Sequence, residues 1–156
     1  MDIPETDRAL AEAYRVIKPG GFLQFSITHP CYDTPRRRNL RDEKGLTYAV
    51  EVGDYFRNLN GEVAEWHFGA APSELKRKYP KFKVPRFTRT VSQWLNLLVE
   101  TGFRIERIGE PRPTDEAVRG CPDLQDSQVV AYFLHVRVRK PLADRNAPGD
   151  TRGHAP

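Results

Sequence analysis

The chain has 156 residues, a formal net charge of +4 and a sequence pI near 9.2, with 38% apolar and 29% charged residues. That length suits one domain able to bury roughly two thirds of its unfolded surface, and the longest uncharged apolar run, Val129 to Leu134, is far too short to span a bilayer. Cys31 and Cys121 have no metal-ligand spacing and the N-terminus has no apolar signal core, which argues against a disulfide framework or an exported chain. A cytoplasmic protein is therefore expected, with no metal and no membrane partner.

Residues 2–17 are predicted to form a helix, with Asp2 as N-cap and Glu5 three positions on as a capping box. Leu10, Ala13, Tyr14 and Ile17 recur at three- and four-residue spacing and make its apolar face. Pro19 cannot continue the helix, and Gly20-Gly21 supplies the backbone angles for a reversal. Phe22 to Ile27 follows as a short strand, mainly apolar on both faces, the pattern of a central parallel strand.

From Thr28 to Phe87 the pattern loosens, with aromatics scattered among charges, Gly and Pro. Leu46–Val52 and Val63–Phe68 are predicted strands, with Asn58–Gly61 as the turn into the second, so this stretch reads as a small, irregular antiparallel insertion. Arg36–Arg38 and Lys76–Lys83 hold much of the positive charge here. Solvated loops are the plain reading of both; the rival for the second is nucleic-acid binding, with Tyr79 and Phe82 stacking on bases.

Thr90-Val91-Ser92-Gln93 is a second capping box, and Val91, Trp94, Leu95, Leu98 and Val99 form an apolar helical stripe ending at Gly102. Phe103–Gly109 reads as a strand, a Pro-rich loop containing Cys121 follows, and Gln128–Lys140 is the longest strand candidate. From Val136 its residues alternate with Arg137 and Arg139, which predicts that it runs out beyond the sheet. Residues 142–156, rich in Ala, Pro, Gly and charge, are predicted to be disordered.

Arg15-Val16-Ile17-Lys18-Pro19-Gly20-Gly21 before a strand, FSITHPC after it and PRFTRTVSQWLNLLVETGF over the second helix resemble the C-terminal half of class I S-adenosylmethionine-dependent methyltransferases. The resemblance covers about residues 1–140, and MDIPE resembles the segment that follows the family's fourth strand. It implies an α/β fold over residues 1–141: the C-terminal part of a doubly wound, Rossmann-like sheet, with one parallel strand, a terminal antiparallel hairpin and an insertion at about 28–87. It also implies S-adenosylmethionine as cofactor and a small-molecule methyl acceptor. The sequence departs from the family in having no GxGxG strand-to-helix turn and no acidic residue closing a following strand. No cofactor-binding residue is identified, and roughly a hundred residues of an N-terminal half are implied; alone, the chain is expected to be inactive.

Doubly wound sheets bind ligands beyond the carboxyl ends of their strands, which places Thr28, His29, Cys31 and Tyr32 on the reaction side. His29 is the candidate base, Cys31 a packing residue beside it, and Tyr32 a pocket wall. Trp66 and His67 either shape an apolar substrate pocket or form the insertion's own core. Arg86 and Arg89, on either side of Phe87, are candidates to pair with a substrate carboxylate or phosphate, or are surface residues. The edge of strand 22–27 is expected to pair with another copy or with a complementary N-terminal half. A non-catalytic interaction module built on this half-fold is the rival to the enzyme reading.

Overall fold

The computed structural model describes residues 3–67 and 71–142. Its main sheet is organised by β7 (Phe133–Arg139), in which Leu134, Val136 and Val138 are almost completely buried while Phe133 and His135 are exposed. β1 (Phe22–Thr28) and β6 (Arg104–Gly109) each pair antiparallel with β7, in the order β1-β7-β6. Register sets Leu23, Phe25 and Ile27 opposite Val138, Val136 and Leu134, and sets Ile105 and Ile108 opposite Val138 and Val136. Directly opposed residues share a face, so one side of the sheet is apolar throughout.

Two helices cover that side. Leu10 of α1 (Thr6–Val16) and Trp94 and Leu98 of α3 (Val91–Glu100) join Ile27, Phe103, Leu134, Val136 and Val138 in one buried cluster. Tyr14 meets Phe103 edge-on with ring centroids 4.9 Å apart. Phe22, Gln24, Ser26, Phe133 and His135 leave the opposite face open. No helix among the described residues is long and apolar enough to cross a membrane.

α1 begins four residues later than the sequence predicts. The Thr6 hydroxyl donates to the Ile3 carbonyl at 3.0 Å and Glu5 pairs with Arg8 at 2.7 Å, so Glu5 does not close a capping box; Asp2 lies outside the described residues. The end of α1 behaves as expected: Gly20 takes φ +79°, and the turn is clipped to the end of β7 by Gly20 N–H to the Lys140 carbonyl and Lys140 N–H to the Gly21 carbonyl, both 2.9 Å. α3 has the full capping box between Thr90 and Gln93, and it ends through Phe103 N–H to the Leu98 carbonyl at 3.1 Å.

Two expectations for the sheet are corrected. β1 is not apolar on both faces: Leu23, Phe25 and Ile27 point inward while Gln24 and Ser26 are exposed, and among the described residues its second edge is unpaired. β7 does not run out beyond the sheet. The alternation of Val136 and Val138 with Arg137 and Arg139 reflects a strand covered on one side only, with Glu106 accepting hydrogen bonds from both arginines on the open side. The strand is also shorter than predicted, because Gln128 and Val129 belong to α5 (Asp126–Val129), where Gln128 donates to the Pro113 carbonyl and to Asp115. The predicted Pro-rich loop holds α4 (Asp115–Gly120) and a 3₁₀ turn at Pro122–Gln125. Apart from Leu142, the segment predicted to be disordered lies outside the described residues.

Between β1 and α3 stand two antiparallel ribbons, β2 (Arg36–Arg41) with β3 (Thr47–Gly53) and β4 (Glu62–Trp66) with β5 (Phe82–Arg86), and the short helix α2 (Ser73–Lys78). Arg36–Arg38 is therefore strand rather than loop, stabilised by ion pairs from Arg38 to Glu51 and from Arg36 to Asp54. Lys76–Lys83 divides between α2 and β5, and Pro85 is tolerated because β5 is an edge strand. Asn58–Gly61 leads into β4 without joining adjacent strands of one hairpin.

Two outcomes follow from this packing. Leu98→Ala removes a side chain with no exposed surface and is expected to lower unfolding free energy by about 2–5 kcal/mol in urea titration. Hydrogen bonds from Arg139 and Arg137 hold the Glu106 carboxyl below its ordinary range. Its contribution is present above the ordinary glutamate range and is lost as pH falls through the depressed value, so Glu106→Gln should flatten the acid limb of a stability–pH curve.

Candidate active site

Because β1 and β6 both oppose β7, they run in the same direction, and their carboxyl ends emerge at one edge of the sheet. β1 leads into His29 and β6 into Glu110. His29 is only 6% exposed; its Nε2 lies 2.9 Å from Glu110 Oε1, and its Nδ1 accepts the Cys31 backbone N–H at 3.1 Å. A backbone N–H only donates, so Nδ1 is bare and Nε2 carries the hydrogen given to Glu110. The His29 backbone N–H bonds the Tyr132 carbonyl at 2.8 Å, and its own carbonyl accepts from Tyr32 and Asp33, which folds the loop back towards the start of β7.

The neighbours of the pair are electrostatically quiet. Burial, and then the nearby Glu110 carboxylate, push the Cys31 thiol up, which keeps it protonated and unreactive. Tyr32 lies between the Tyr132 ring at 4.4 Å and the Arg37 guanidinium at 3.9 Å, and burial raises its hydroxyl above the ordinary value. Arg86 reaches from β5 to a well-shielded ion pair with Asp33, tying the insertion to the loop after β1. Beside Glu110 the open face of the sheet carries a cavity of about 520 Å³ bordered by Gln24, Arg107, His135 and Arg137.

The loop after β1 thus gathers Thr28, His29, Cys31, Tyr32 and, through Asp33, Arg86. It does not gather the other candidates. Arg89 donates to the Thr6 hydroxyl at 2.9 Å and lies 5.5 Å from the Trp94 ring, a structural tie between α1 and α3. Trp66 pairs with Phe82 at the end of the β4–β5 ribbon opposite to Arg86, about 14 Å away at ~3.4 Å per residue. His67 follows it with Nε2 3.1 Å from the Tyr79 carbonyl. Glu110, Asp33 and Tyr132 are missed by the sequence reading; applying to β6 the carboxyl-end rule used for β1 finds Glu110.

No protein-family model matches the sequence, and no curated protein matches it significantly. Solved structures do. The chain is similar to a proposed S-adenosylmethionine-dependent methyltransferase from Listeria monocytogenes, at 25% identity and TM-score 0.65 over 89% of this chain and 56% of that one. It is also similar to an S-adenosylmethionine-dependent methyltransferase from Mesorhizobium loti, at 26% identity and TM-score 0.62 over 86% of this chain and 55% of that one. The mixed α/β fold is that of Rossmann-like methyltransferases in part, and the chain spans about half the length of these two structures.

Among the described residues, no positive-φ glycine stands in the kind of turn that would cradle the cofactor of those proteins. A nucleotide cradle needs glycines in a turn from a strand into a helix, where the backbone approaches the ligand. Gly20 and Gly102 take positive φ in helix-to-strand turns, Gly45 in the β2–β3 hairpin and Gly61 ahead of β4. None of these four stands where such a cradle forms.

Removing the Arg86 guanidinium breaks its shielded ion pair with Asp33. Arg86→Ala is expected to cost about 1–3 kcal/mol and to speed hydrogen exchange in β4 and β5 more than in β7, as read by exchange mass spectrometry.

Proposed function

We propose that the chain is the acceptor-side, C-terminal half of a cytoplasmic S-adenosylmethionine-dependent methyltransferase acting on a small molecule. In this reading the cofactor cradle belongs to an N-terminal half that pairs with the free edge of β1. The observation that carries it is the His29–Glu110 pair at the joint carboxyl ends of β1 and β6, in a sheet similar to those of two methyltransferases.

The chain's own share of the chemistry is to seat the acceptor and take its proton. Glu110, with 60% of its side chain exposed, is the open end of the pair and receives the proton of an acceptor O–H or N–H. His29 holds that carboxylate through Nε2–H; acting as the base itself requires Nδ1 to give up the Cys31 N–H. In this reading Thr28, Cys31 and Tyr32 flank the acceptor on the His29 side of the pair. Arg86 fixes the insertion beside it.

The open sheet face and the unpaired β1 edge also favour a second reading, a non-catalytic module that captures a partner through that edge. Calorimetry with S-adenosylmethionine, with oligomeric state measured on the same sample, separates the readings. The chain alone is expected to bind none and to self-associate; stoichiometric binding by the chain alone overturns the placement of the cradle. Supplied with a segment bearing a strand and a glycine-rich turn, it is expected to form a pair that binds the cofactor. A folded pair that does not bind it overturns the methyltransferase reading and leaves the capture module.

A further inference from the structure

At the end of the insertion remote from Arg86, α2 and the start of β5 border a half-open cavity of about 670 Å³, within the usual range for small-molecule sites. Leu75, Tyr79 and Phe82 line it, and each is about half exposed although large and apolar. Trp66, opposite Phe82 in the ribbon and so on the same side of it, extends the apolar surface. The hydrogen bond between His67 and the Tyr79 carbonyl fixes the segment that carries two of these walls.

The rim is cationic. Lys76, Lys81 and Lys83 line the cavity beside the apolar walls, and over residues 73–83 they are joined by Arg77 and Lys78 against a single acid, Glu74. Glu65, the acid bordering Lys83, is already paired with it at 2.9 Å. The hydrogen bond from Lys83 and then the charges of Lys83 and Lys81 hold the Glu65 carboxyl below its ordinary range, so Glu65 stays ionised and offsets Lys83, and the positive potential of the mouth comes from the surplus of cations over residues 73–83. Apolar walls disfavour a purely ionic ligand, and the lysine rim disfavours a neutral one; together they fit an apolar body ending in an anion.

We propose that this cavity binds a single-chain amphipathic anion of the alkyl carboxylate class, its tail against Leu75, Tyr79 and Phe82 and its head among Lys76, Lys81 and Lys83. The site is separate from the His29–Glu110 pair and does not depend on the methyltransferase reading.

Intrinsic fluorescence tests it on the full chain, since Trp66 is 39% exposed beside the cavity while Trp94 is 5% exposed in the core. Dodecanoate below its micellar concentration is expected to give a saturable blue shift at one molecule per chain. Dodecanol and the Lys81→Glu variant are each expected to weaken binding by about tenfold or more, and Leu75→Asp to abolish the shift, with circular dichroism unchanged in both variants. The proposal is overturned by no saturable shift, by equal affinity for dodecanol, or by a shift that survives Leu75→Asp. It is overturned equally if oligothymidylate or phosphatidylglycerol vesicles bind while dodecanoate does not, which would make the patch a nucleic-acid or membrane surface.

Discussion

The main sheet depends on β7 being hydrogen-bonded on both sides. β1 and β6 are not hydrogen-bonded to one another; each is ordered by the strand between them. Two strands that both oppose a third share a direction, so the geometry that buries Val136 and Val138 is the same geometry that brings His29 and Glu110 to one edge. A one-residue slip of β7 would turn Arg137 and Arg139 into the core and move both carboxyl ends out of step. Core packing and site assembly are therefore one constraint, enforced by side-chain alternation in seven residues.

The two faces of that sheet are held by different physics. One is apolar and covered by α1 and α3, with Gly102 left bare because a Cβ there, at φ +101°, would come within 3.2 Å of the Tyr14 ring. The other is polar and open, and its order comes from charge: Glu106 braces Arg137 and Arg139, and the Arg137 guanidinium lies 3.8 Å from the centroid of the Phe22 ring. That cation covers an exposed aromatic on β1 and leaves the strand's second backbone edge, unpaired among the described residues, available.

Elements whose signals are local were legible in the sequence. The Thr90 capping box, the Pro19-Gly20-Gly21 turn and the apolar stripe of α3 each rest on residues within one or two turns of each other; the first two appear where expected, and the stripe is centred on Trp94 and Leu98 as expected, with Leu97 packed against the core and Val99 exposed. What was not legible depends on partners distant in the chain. Arg36–Arg38 becomes strand because β3 supplies Glu51 opposite Arg38, and the first two residues of the predicted last strand fall in α5, whose Asp126 accepts from Thr47 and Arg41. His29 was found from its place after β1. Glu110, on the far side of the sheet, requires knowing that β6 and β1 share a direction.

The central strand of the sheet is also its last in sequence: Phe22 pairs with Arg139 and Thr28 with Phe133. During synthesis β1 emerges with its apolar face made and its partner not yet translated. At about 5–20 residues per second, a gap of roughly a hundred residues leaves it waiting about 5–20 seconds. In that interval the local ribbons of the insertion can close, but the KPGG turn waits as well, since Gly20 and Gly21 bond Lys140. Until β7 arrives, the apolar face of β1 thus lacks the strand that completes its sheet.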